Sequence, residues 1–119
     1  MTDERTSAEQ PDDLARFFIE RANAGDAEGL AALYTPDAIL AFPSGQEPVV
    51  GRQAILAVYE RLLAPRPQFQ PGQQLPTLRN GDLALTATRL ASGDVTAEVA
   101  QRQPDGAWLW IIDRPSFRG

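Results

Sequence analysis

Asn23 to Ile55 reads NAGDAEGLAALYTPDAILAFPSGQEPVVGRQAI, and the order of its signals decides the fold. Gly25 supplies the left-handed stop of a preceding helix, and Asp26 can cap the next one through its carboxylate. Leu30, Leu33 and Tyr34 form the stripe of a second, short helix, which Thr35-Pro36 ends because the residue before proline avoids helical angles. Ala38 to Phe42 reads as a strand, with Pro43 at its edge or end. Ser44 to Pro48 is loop, and Gly51 precedes a third helix.

Upstream, Pro11-Asp12-Asp13 opens a first helix, with proline at an early position and acids at the positive dipole end. Its stripe is Leu14, Phe17, Phe18 and Ala22. Downstream, Ile55, Val58, Tyr59, Leu62 and Leu63 form the third helical stripe, and Pro65 stands beyond it. Arg66 to Pro76 has little period and leaves two alternatives open, a bulged edge strand or a loop. From Thr77 the period becomes two. Asn80-Gly81 predicts a type I′ hairpin between Thr77–Arg79 and Leu83–Leu90. Turns at Ser92-Gly93-Asp94 and Pro104-Asp105-Gly106 then separate Val95–Gln103 from Trp108–Ile112. Helices first and an antiparallel meander after predict the α+β class.

Composition narrows the chemistry. The 119 residues contain no His, no Cys and no Lys, and every one of the 11 basic residues is an arginine. Transition-metal and thiolate chemistry therefore lack their ligands and nucleophiles, and Ser44 and Ser116 lack the base of a hydrolase triad. The reading takes no metal and no cofactor. A net charge of −5 with scattered arginines argues against nucleic acid and anionic membrane as partners. Residues 1–10 lack an apolar period and read as a disordered polar arm, and 11–119 as one domain. No apolar run approaches membrane-spanning length, which makes the cytoplasm the default location.

Asn23-Ala24-Gly25-Asp26, Leu33-Tyr34-Thr35-Pro36-Asp37-Ala38, Gly51-Arg52-Gln53-Ala54-Ile55 and Pro104-Asp105-Gly106-Ala107-Trp108 together resemble the nuclear-transport-factor-2-like superfamily. Within it, the likeness is to the SnoaL-like and ketosteroid-isomerase-like branch, from about Asp13 to Pro115. The resemblance implies a cone of about three helices on a curved, mostly antiparallel sheet, enclosing a pocket. It also implies a bacterial homodimer formed through the sheet. Steroid isomerisation does not carry over. The family's base position is Phe42 here, and its first-helix tyrosine is Phe18. The supporting tyrosine is present as Tyr59, and the family's carboxylic acid falls at Glu98 or Val99.

Asp113 ends the last strand after four large apolar residues. It is either a buried acid with a raised pKa or a strand-end carboxylate paired with Arg114 or Arg89. By strict alternation it shares a face with Leu109 and Ile111, opposite Trp108 and Trp110. Glu98 points into the cavity if its face is the concave one, and otherwise pairs with Arg89 or Arg102 on the surface. Asp113 and Tyr59 are the candidate catalytic residues, with Phe18, Tyr34, Phe42, Glu98 and Trp110 as candidate ligand-binding residues. The expected function is a pocket for a small apolar or aromatic molecule, with cofactor-free isomerase, lyase or cyclase chemistry through Asp113. The rival is a non-catalytic dimeric binding or protein-association module.

Overall fold

A computed structural model describes residues 6–41 and 47–117, with side chains through Pro115. Three helices open the described chain: α1 Asp13–Asn23, α2 Ala27–Ala31 and, after an intervening pair of strands, α3 Arg52–Leu63. Gly25 sits at φ +71° behind α1, and the Asp26 carboxylate accepts from the Gly29 amide to cap α2. Gly51, at φ +95°, precedes α3, as its place before the third stripe predicts. Leu14, Phe17 and Ala22 of α1 and Ile55, Tyr59 and Leu63 of α3 are buried.

Among the described residues seven strands form one sheet: β1 Tyr34–Leu40, β2 Val49–Val50, β3 Gln73–Gln74, β4 Leu78–Asn80, β5 Leu83–Arg89, β6 Val95–Arg102 and β7 Trp108–Phe117. Their order is β2-β1-β7-β6-β5-β3, with β4 also on β5. All pairings are antiparallel except β1 on β7, which is parallel. The fold is α+β, with the helices covering one face. On that inner face Ala84, Thr86, Glu98, Ala100, Trp108 and Trp110 are buried, while Leu83, Leu85 and Ile112 on the outer face are exposed.

Three expectations change. Tyr34 opens β1 instead of closing α2. Its neighbour Leu33 accepts from the Trp110 amide, and the Arg52 guanidinium donates to the Tyr34 carbonyl at 2.5 and 3.0 Å. Tertiary bonds thus take up the backbone groups that a continued helix would use. The β4–β5 loop is Gly81-Asp82, since Asn80 pairs with Leu83, and only Gly81 has positive φ. That sign pattern belongs to a type II′ turn and not to type I′. Residues 64–76 are mostly irregular, with β3 as a two-residue edge.

The third change concerns residues 6–10, read as part of the polar arm. Ala8 is buried and its carbonyl accepts from the Trp108 amide, while Thr6 accepts from Arg21. No helix among the described residues is long and apolar enough to cross a membrane.

Candidate functional site

The decisive local feature is a β-bulge in β7. Ala100 pairs with Trp110, yet the next residue back on β6, Val99, pairs with Ile112. Ile111 is therefore an extra residue that resets the alternation. Asp113 does not share the face of Leu109 and Ile111 as strict alternation predicts. It lies on the inner face with the tryptophans and is 4% exposed, whereas Ile112 is 49% exposed. The parallel partner β1 places Leu40 beside Asp113, and β6 places Glu98 directly opposite. Residues paired in this way have Cβ atoms about 5 Å apart. Glu98 thus takes the concave alternative. It is buried and accepts from the Thr86 hydroxyl at 2.7 Å.

Asp113 has no arginine as its described partner. The Tyr34 hydroxyl donates to its Oδ2 at 2.5 Å, and the Tyr34 and Tyr59 hydroxyls lie 2.7 Å apart. A phenol has one proton, and that of Tyr34 goes to Asp113, so Tyr59 donates to Tyr34. Three residues from β1, α3 and β7 form a chain in which each proton points toward the carboxyl. Burial pushes both tyrosines well above the ordinary phenol range, with the Asp113 charge adding to it, so both keep their protons.

Burial, then the nearby charge of Glu98, pushes Asp113 up to about 8 from 3.8, against the lowering effect of the Tyr34 hydrogen bond. Glu98 is also raised by burial, partly offset by hydrogen bonds from Thr96 and Thr86. At neutral pH the protonated form of Asp113 therefore predominates. With Oδ2 accepting from Tyr34, that proton lies on Oδ1. Among the described residues no three acidic side chains converge as a metal site would need.

Aromatic rings close this cluster. Phe18 packs edge-on against Tyr59 at 5.9 Å and against Phe69 at 6.1 Å, and its centroid is 6.2 Å from that of Trp110. Trp110 lies 5.5 Å from the Tyr34 ring. Its indole nitrogen is buried with no acceptor among the described residues. Phe69 is held in place by Asn23, whose side-chain amide donates to its carbonyl at 3.0 Å and accepts from its amide at 2.7 Å. The two open grooves described lie on the outer face. The larger, about 400 Å³, is lined by Leu85, Ala97, Glu98, Val99, Ile112 and Arg114.

Asp113, Tyr59, Tyr34, Glu98, Phe18 and Trp110 therefore come together, whereas Phe42 lies outside the described residues. Sequence reasoning missed Phe69, in a stretch without period, and Thr86, one of several polar residues on β5. The spacing of Thr86 and Glu98 about the Ser92-Gly93 turn was the available signal for their pairing.

Residues 14–114 match the model of the SnoaL-like domain family. The chain belongs to that family. This places it in the nuclear-transport-factor-2-like superfamily, as its turn motifs imply. A relative at 37% identity over 76 residues is the epoxide hydrolase LasB of Streptomyces lasalocidi, the match covering 64% of this chain and 27% of that protein. The SnoaL-like chain thus spans only about a quarter of that enzyme's length. Among solved structures, a domain of unknown function with a cystatin-like fold from Nostoc punctiforme superposes with a TM-score of 0.74. It is 19% identical, over 90% of this chain and 74% of that one. A ketosteroid isomerase-like protein from Erwinia carotovora atroseptica has a TM-score of 0.66 at 18% identity, over 87% of this chain and 89% of that one. At such identities the likeness is one of fold.

Proposed function

We propose that this SnoaL-like protein is an acid–base enzyme acting on a small apolar or aromatic molecule that carries a strained or activated oxygen. One observation carries the reading: two buried carboxyls, Asp113 and Glu98, face each other across β6 and β7 behind an aromatic wall. Burying two acids costs stability, and a module that only associates with a partner gains nothing from it. An acid–base reaction does, because it needs one group to give a proton while another takes one.

In this scheme Asp113 Oδ1–H protonates the ligand oxygen as its C–O bond breaks. The Glu98 carboxylate removes a proton from the attacking water or hydroxyl as the new C–O bond forms. Transfer of that proton from Glu98 back to Asp113 restores the starting state. Tyr34 and Tyr59 hold Asp113 in position and supply hydrogen bonds to the charge left on it. The same pair serves isomerase, lyase or cyclase chemistry on a carbonyl compound. The name of the 37% identical relative, an epoxide hydrolase, favours epoxide opening.

The test is conversion of aryl epoxides such as styrene oxide to diols, followed by gas chromatography. Asp113→Asn and Glu98→Gln should each lower turnover by a hundredfold or more on the usual scale of acid–base catalysis. Full activity in Asp113→Asn would remove it from the chemistry. Lack of turnover by the parent protein on epoxides and enolisable ketones alike would leave the non-catalytic module.

The outer face supports a homodimer through the sheet. Leu85, Val99 and Ile112 stand in one cross-strand row, with Leu83 and Leu78 beside them, and the four leucine and isoleucine side chains are 43–65% exposed. Such an apolar surface is more extensive than the scattered exposed residues of a monomer.

A further inference from the structure

Trp110 is 3% exposed, and its indole N–H finds no acceptor among the described residues. Leaving such a donor buried and unpaired is costly, and about nine in ten buried polar groups avoid it. Indole nitrogen only donates, so its missing counterpart is a hydrogen-bond acceptor. The Trp110 ring rests on Tyr34, whose own proton is committed to Asp113, and on Phe18. The wall around Asp113 is therefore apolar in area, and among the described residues the indole N–H is the donor it leaves uncommitted.

We propose that Trp110 is a specificity-determining residue whose indole N–H binds the oxygen of an uncharged ligand, an ether, epoxide or carbonyl. This rests on the acid–base reading of the same site and adds a second donor to the oxygen that Asp113 protonates. Two donors at one oxygen select for ligands that present both lone pairs. They select against protonated amines and other cations, which have no lone pair to offer.

Phthalan and indane test this directly, since they share one skeleton and differ only by an ether oxygen in place of a methylene. Binding is measured by titration while the indole N–H signals are followed by ¹H–¹⁵N NMR on the ¹⁵N-labelled protein. The chain has two tryptophans. Contact with the Tyr34 ring assigns the Trp110 signal, and loss of that signal in Trp110→Phe confirms it where the variant folds.

The expected result is that phthalan binds about tenfold more tightly than indane, the scale of one buried hydrogen bond. It should also move the Trp110 indole proton downfield and slow its exchange, whereas indane should do neither. Equal affinities with an unmoved indole overturn the inference and leave the ligand reading standing. A preference for phthalan with the indole unmoved also overturns it, because Asp113 alone then holds the oxygen. Binding of neither compound overturns the ligand reading, and this inference with it.

Discussion

Replacing Asp113 by asparagine should change how stability depends on pH far more than it changes stability at pH 5. In the folded protein the Asp113 carboxyl is pushed up to about 8, against 3.8 for the free side chain. Between those values the folded state holds a proton that the unfolded chain has released. Stability contributed by this group is therefore fully present below about pH 4 and is lost as pH rises through about 8. At about 1.4 kcal/mol per pH unit, the interval from 3.8 to about 8 sets an upper limit of about 6 kcal/mol. That is comparable to the whole stability of many domains. Asparagine keeps an oxygen for the Tyr34 hydroxyl and cannot ionise.

Urea unfolding from pH 5 to pH 9, followed by circular dichroism, reads the difference. The variant should lie within about 2 kcal/mol of the parent at pH 5. It should become the more stable of the two by several kcal/mol near pH 9. Glu98 titrates in both proteins, and only its coupling to the Asp113 charge differs between them. Parallel curves would falsify the argument, since they would mean that Asp113 is already ionised in the folded protein.

Other outcomes follow from the same network. Tyr34→Phe strands both the Tyr59 hydroxyl and Asp113 and should cost about 3 kcal/mol, whereas Tyr59→Phe, at the end of the chain, should cost about 1; equal losses in urea midpoints would contradict this order. Glu98→Gln removes the charge that helps raise Asp113, so the alkaline fall in stability should move to lower pH. An unmoved midpoint would show that the two carboxyls do not interact. Leu85→Glu puts a charge in the exposed apolar row of the outer face and should convert a dimer into monomers in analytical ultracentrifugation. A parent protein that is itself monomeric would refute the dimer.

The helices were largely legible in the chain because their signals are local. Gly25, Asp26 and Gly51 act within a few residues of where they stand, and the stripes of α1 and α3 need only the 3.6-residue period. Tyr34 was misplaced because Leu30, Leu33 and Tyr34 keep helical spacing. What opens the strand there is Arg52 and Trp110, bonds made at a distance. Asp113 was legible as a residue and not as a position. Nothing in Trp108-Leu109-Trp110-Ile111-Ile112-Asp113 marks which residue bulges, because a bulge is settled by the register of the partner strand. Glu98 stayed undecided for a related reason, since a mid-strand acid reveals its environment only once the face is known. Phe69 carried no signal, as its place depends on two hydrogen bonds exchanged with Asn23, 46 residues earlier.

The clasp between Asn23 and Phe69 has a consequence for timing. Phe69 lies on Phe18, and Phe18 lies on Tyr59 and Trp110, so a molecule reaching Asp113 from that side must first displace this stack. Entry then waits on opening, and stopped-flow association rates should level off as ligand concentration rises instead of climbing in proportion. Asn23→Ala should raise that plateau by releasing the Phe69 backbone while leaving the acids untouched. A rate that stays linear in the parent protein would mean that ligands enter by another door. In a chain without His, Cys or Lys, the clock would be set by an asparagine that touches none of the chemistry.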